Sequence, residues 1–139
     1  MTTIQRDLTP FEVERLEQLR VHFSGRSGLD DLIVEVTEEF RTAPVPPACP
    51  PWCGQPAGHT YDSVTDDDSV HIRIHEHGIG DLVSVCQEER HHVTGGVELS
   101  APFVTTYTDN MEMDAERAAE HGAAVLEAAA QLREIVGAR

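Results

Sequence analysis

The sequence predicts an α+β protein: a small antiparallel three-stranded sheet with a long C-terminal helix, a zinc-stapled loop and an N-terminal helical hairpin. Three observations carry that prediction. Apolar residues recur at helical spacing through the first 42 residues and again from about residue 115. Between these two regions, apolar and polar residues alternate with a period of two, as in a half-buried strand. The stretch APVPPACPPWCGQPAG, residues 43–58, lies ahead of the alternating region. It cannot form a regular helix, because proline removes a backbone donor and restricts the residue before it.

The first helix has its start written out. Thr9 can act as N-cap, Pro10 fits the first helical position, and Glu12 falls where a capping box needs it. Leu8 can staple onto Val13, and Val13, Leu16, Leu19 and Phe23 form the apolar stripe. The run Ser24-Gly25-Arg26-Ser27-Gly28 ends that helix. A second follows from about Leu29 to Arg41, with Leu32, Ile33, Val36 and Phe40 on its apolar side and acidic residues on the wet side. Residues 1–42 thus read as a helical hairpin, and residues 43–139 as a zinc-stapled α+β unit.

Residues 62–69, DSVTDDDS, read as an exposed acidic turn. Val70, Ile72 and Ile74 then alternate with His71, Arg73 and His75 to give the first strand. Asp81 to Glu89 is the second, after a break at Gly78 and Gly80. Gly95-Gly96 favours a reversal, and Val97, Leu99, Ala101 and Phe103 alternate in a third strand running toward Tyr107. Short turns between successive strands imply a meander. Asp114 is a natural N-cap for the last helix. Its expected packing face is Ala118, Gly122, Val125, Ala129, Leu132 and Val136, flanked by Ala119, Leu126 and Ile135. From about residue 115 to 136 it spans roughly 33 Å, enough to cover three strands.

Composition limits the functions available. The net charge is −15, which repels nucleic-acid phosphates and anionic membranes. No stretch approaches the roughly 20 apolar residues of a membrane span, and the N-terminus has no apolar signal core. The expectation is a cytoplasmic protein. Aromatic residues are only 5% of the chain, so its core is aliphatic and small and gains from a staple.

The staple is expected in CPPWCGQPAGH, residues 49–59, which holds two of the three cysteines and the single tryptophan. Zinc takes about four thiolate or imidazole ligands in a tetrahedron. Cys49 and Cys53 stand in C-x3-C spacing, Pro50 and Pro51 stiffen the loop between them, and His59 lies within reach. The fourth ligand should come from another element, since closing a long loop is what makes a staple useful. The candidates are His71, His75, His77 and Cys86. Cys86 reads as a small buried strand residue. His75 is favoured for its place near the strand end, with His71 and His77 nearly equal on spacing. Trp52 reads as an apolar plug docking the loop on the sheet.

The group Cys49-Pro-Pro-Trp-Cys53, His59, a later histidine, Val83-Ser-Val85 and an Ala/Leu-rich last helix resembles an uncharacterised family of small proteins. That family is common in actinobacteria and their phages and carries a Cys-Pro-x-Trp-Cys signature. The resemblance covers residues 48–136 and leaves the hairpin outside it. The family's last helix often begins Leu-Thr-Pro-Glu-Glu-Ala; here Met113-Asp114-Ala115-Glu116-Arg117-Ala118 stands in that place. The resemblance implies that Cys49, Cys53 and His59 are zinc ligands, and it implies no activity.

Three functional readings follow. The first is a protein-binding or regulatory module with structural zinc, whose hairpin either docks on the domain or mediates homodimerisation. The second is a zinc hydrolase with Glu76 as base, although HIRIHEHG is not H-E-x-x-H and the deaminase pattern is absent. The third is an acidic mimic of nucleic acid that inhibits a basic partner.

Overall fold

The computed structural model of the chain describes residues 5–108 and 111–138. The outer limits of the two expected units, at residues 1–4 and 139, lie outside them. Among the described residues the architecture is α+β, with three helices and one antiparallel sheet.

Helix α1 (Pro10–His22) starts as its sequence predicts. The Thr9 hydroxyl accepts the Glu12 amide at 3.3 Å, and the Glu12 carboxylate accepts the Thr9 amide at 2.8 Å. This capping box satisfies two amides that a helix start leaves open. Helix α2 (Leu29–Thr42) follows a turn closed by Gly28, whose φ of +83° suits glycine. Leu16 of α1 and Ile33 of α2 are buried in the hairpin. Val13 is 49% exposed, so the buried stripe is narrower than the sequence suggests. A two-helix hairpin has one seam to fill, and Val13 lies outside it. Arg6 secures the open end: it donates to both Glu12 oxygens at 2.7 and 2.8 Å and to the Ala43 carbonyl at 2.8 Å.

The sheet has five strands where three are predicted: β1 (Ser63–Val64), β2 (Val70–Ile79), β3 (Val83–His92), β4 (Val97–Leu99) and β5 (Phe103–Thr106). β2 and β3 pair along their whole length, from Val70 opposite His92 to Ile79 opposite Val83. Gly78 therefore lies inside β2, and the chain turns at Gly80-Asp81-Leu82. The acidic turn contains β1, which pairs with His71 and Ile72.

The expected third strand is split into β4 and β5, both paired with β3. Between them Ser100, Ala101 and Pro102 oppose only Gln87 and Glu88. The extra residue makes a bulge, pinned where the Ser100 hydroxyl accepts the Glu88 amide at 3.0 Å and the Ser100 carbonyl accepts from Gln87 at 3.0 Å. A one-residue slip exchanges the faces of everything that follows. Val104 consequently packs on the core, and Phe103, which the unbroken alternation would place beside Leu99, shares the other face with Cys86.

Helix α3 (Ala115–Gly137) is capped by Asp114, which accepts the Arg117 amide at 2.8 Å. Its packing face is Ala124, Val125, Ala128, Leu132 and Ile135, set against Ile79, Val83, Val85, Val104 and Trp52. Ala128 is fully buried, while Leu126 is 73% exposed. Gly122 and Ala118 are exposed too. The face is thus rotated by about one residue from the predicted one. The helix lies over the end of the sheet near the β2–β3 turn, where Gly80 approaches Ala124.

The odd-numbered positions of β2 and β3 share one face, since side chains alternate along a strand. At the turn end that face is aliphatic: Ile79, Val83 and Val85 lie under α3. Further along it is polar and still buried: Arg73, His75, Gln87, Glu89 and His91.

Candidate metal centre

The loop after α2 is held against the polar half of the sheet by backbone and charge. The Cys53 amide donates to the Pro50 carbonyl at 3.0 Å, closing a turn at Pro-Pro-Trp. The next amide, Gly54, donates to the Glu76 carbonyl on the free edge of β2 at 2.9 Å. A side chain at Gly54 would meet that carbonyl oxygen at 3.3 Å, so the close approach calls for glycine. Arg73, fully buried on β2, donates to the Pro47 carbonyl at 2.9 Å and the His59 carbonyl at 3.2 Å. One guanidinium therefore holds the chain at both ends of the cysteine segment. Trp52 packs on the core and meets the His75 ring edge-on.

This folding brings together Cys49, Cys53, His59 and His75. One ligand atom from each lies within 4.8 Å of all the others. His59 and His75 are buried, and the cysteines are half-buried. The His59 Nε2 stands 3.6 Å from the Cys53 sulfur. The His75 Nε2 donates to Glu89 at 2.8 Å, whereas its Nδ1 is buried and has no partner among the described residues. A buried acceptor without a donor is costly, and an ion between these four side chains would satisfy it. The donor set and the orphaned nitrogen both fit a metal.

Electrostatics prepares the ligands. Burial pushes the His59 pKa down, and Arg73 and His75 add to the shift, which favours the neutral imidazole that a metal requires. Burial pushes the Cys49 thiol up, with the neighbouring Cys53 adding to it, while a backbone hydrogen bond at Gly58 acts in the opposite direction. A bound cation stabilises the thiolates that burial disfavours.

The other sequence candidates fall elsewhere. His71 packs against the Tyr61 ring, and the His77 ring lies beside Gly54. Cys86 is buried with Thr105 on the opposite face of the sheet, as a small strand residue. Glu76 also faces away from His75: its carboxylate accepts the Ser84 hydroxyl at 2.7 Å.

Sequence reasoning missed Glu89 and its arginine. Glu89 is buried and receives Arg73 at 3.1 and 3.2 Å, His75 at 2.8 Å and His91 at 2.8 Å. Burial pushes its carboxyl up, but these hydrogen bonds outweigh burial and hold it below the ordinary carboxylate range. The signal available was strand register: a turn at Gly80-Asp81-Leu82 sets Arg73 opposite Glu89 and His75 opposite Gln87.

Fold and site together define an α+β protein with a Cys2His2 cluster able to hold a metal ion. Comparison with protein-family models, with curated proteins and with solved structures finds no match. Among the described residues, no helix is long and apolar enough to cross a membrane.

Proposed function

We propose that this chain is a small zinc-binding protein whose metal is structural, and that it serves as a protein-binding or regulatory module in a reducing, cytoplasmic setting. The observation that carries the metal reading is the convergence of one ligand atom from each of four side chains within 4.8 Å, beside which His75 keeps a buried Nδ1 with no partner among the described residues. Zinc bonds of about 2.0–2.3 Å place tetrahedral ligands about 3.3–3.8 Å apart. Closing the cluster onto the ion therefore asks for only about 1 Å of side-chain movement. Two thiolates and two imidazoles form a closed structural set, whereas catalytic zinc keeps an open position. Glu76, the candidate base, points to the opposite face, which favours the structural role over hydrolysis.

The binding role rests on the hairpin. No Cα of α1 or α2 comes within 8 Å of one in a strand or in α3, and Val13, Val21 and Val34 are exposed along it. Such helices offer apolar surface to a protein partner or to a second copy. The Cys-Pro-x-Trp-Cys resemblance to actinobacterial and phage proteins supports the zinc ligands alone, since it leaves the hairpin outside it.

The test is metal content by elemental mass spectrometry on wild type and Cys53→Ser. The expected result is about one zinc per chain, absent from the variant and accompanied by a lower melting temperature. Wild-type protein that takes up no zinc, purified with zinc and reductant present, overturns the reading.

A further inference from the structure

We infer that Glu89 is the positioning residue of the metal site, holding His75 in the tautomer that presents Nδ1 to the ion. The inference rests on the metal reading above and goes beyond it, because it assigns a coordinating atom and a residue outside the ligand set. An ionised carboxylate only accepts hydrogen bonds. The His75 Nε2, 2.8 Å from Glu89, must therefore carry the proton. In a neutral ring that leaves Nδ1 bare, and Nδ1 is the buried atom without a partner. His59 presents the other nitrogen, Nε2, toward Cys53. The two histidines thus offer opposite nitrogens to the ion.

Arg73 makes the arrangement permanent. It pairs with Glu89 at 3.0 Å inside the protein, and it also holds the Pro47 and His59 carbonyls. A single buried ion pair therefore orients the ring of one ligand and anchors the loop that carries the other three. Carboxylate partners of this kind fix ring orientation and raise ligand basicity, and losing one lowers metal affinity about 10–100-fold.

Two measurements test this. A long-range 15N–1H spectrum of the zinc-loaded wild type should show His75 protonated at Nε2 and metal-bound at Nδ1; the reverse assignment overturns the inference. Glu89→Asp keeps a charge for Arg73 while shortening the reach to His75. Its zinc affinity, read against a chromophoric chelator, should fall about 10–100-fold, and wild-type affinity overturns the inference. Should that variant fail to fold, the wild-type spectrum still decides. A wild type that takes up no zinc defeats the metal reading itself. Zinc uptake with His75 bound through Nε2 defeats only the role of Glu89.

Discussion

Glu12 and Glu89 are buried carboxylates, 1% and 3% exposed, and each is accommodated by facing an arginine. For Glu12 the consequence can be measured away from the metal. Burial raises its pKa, but hydrogen bonds from Arg6 and Thr9 outweigh burial and leave it below 4.5. A carboxyl depressed by folding stabilises the native state above its unfolded pKa, and that stability is lost as pH falls through the folded value. Glu12→Gln should therefore cost about 1–3 kcal/mol at neutral pH. The gap between wild type and variant should narrow as pH drops below about 4.5. Urea unfolding at several pH values measures it, and a gap independent of pH counts against the ion pair. The capping role of Glu12 was legible in the sequence, because Thr-Pro-x-Glu is a local pattern. Its burial against Arg6 was not, nor was that of Glu89, because a charged side chain looks the same in a sequence whether water or an arginine satisfies it. The two cysteines and His59 were legible for the opposite reason: thiolate and imidazole at short spacing in a stiff loop have few other uses.

At the scale of elements, helix caps and strand alternation could be read, and packing phase could not. The N-caps Thr9 and Asp114 fall where local chemistry puts them. The bulge at Ser100–Pro102 was hidden because Ala101 keeps the alternation superficially intact, while the pairing it breaks lies on another strand. The face of α3 was hidden because alanine is small and common on all sides of it, so hydropathy says little about which side meets the sheet. Position 128 gives the test. Ala128 is fully buried where α3 crosses the core, and Ala128→Leu should overpack it and cost about 1–3 kcal/mol. Leu126→Ala, on the exposed side, should stay within about 0.5 kcal/mol of wild type. Urea midpoints that rank these two variants the other way would return the helix to the face its sequence suggests.

Across the whole molecule, the two halves of the inner sheet face are held by different forces. Under α3 the contacts are aliphatic and need no ion. Beyond them, Arg73, His75, Glu89 and His91 lie under a loop whose prolines provide few ladder bonds, and the Cys2His2 cluster brings that loop to β2. With zinc in the cluster as proposed, removing it should act on one half first. A ligand that binds only the folded state adds about 2.7 kcal/mol at 100 times its dissociation constant, so melting temperature should rise with free zinc and fall on chelation. Hydrogen exchange locates the loss. The Cys53, Gly54 and His59 amides, donating to Pro50, Glu76 and Pro56, should lose protection in chelator. The β2–β3 amides near Ile79 and Val83 and the centre of α3 should keep theirs, since their burial does not involve the ligands. The Arg73 bonds to the Pro47 and His59 carbonyls use none of the four clustered side chains' ligand atoms, so the loop should loosen on chelation rather than detach. Uniform loss across both halves would mean that zinc supports the aliphatic core as well, and that the two halves fold as one cooperative unit.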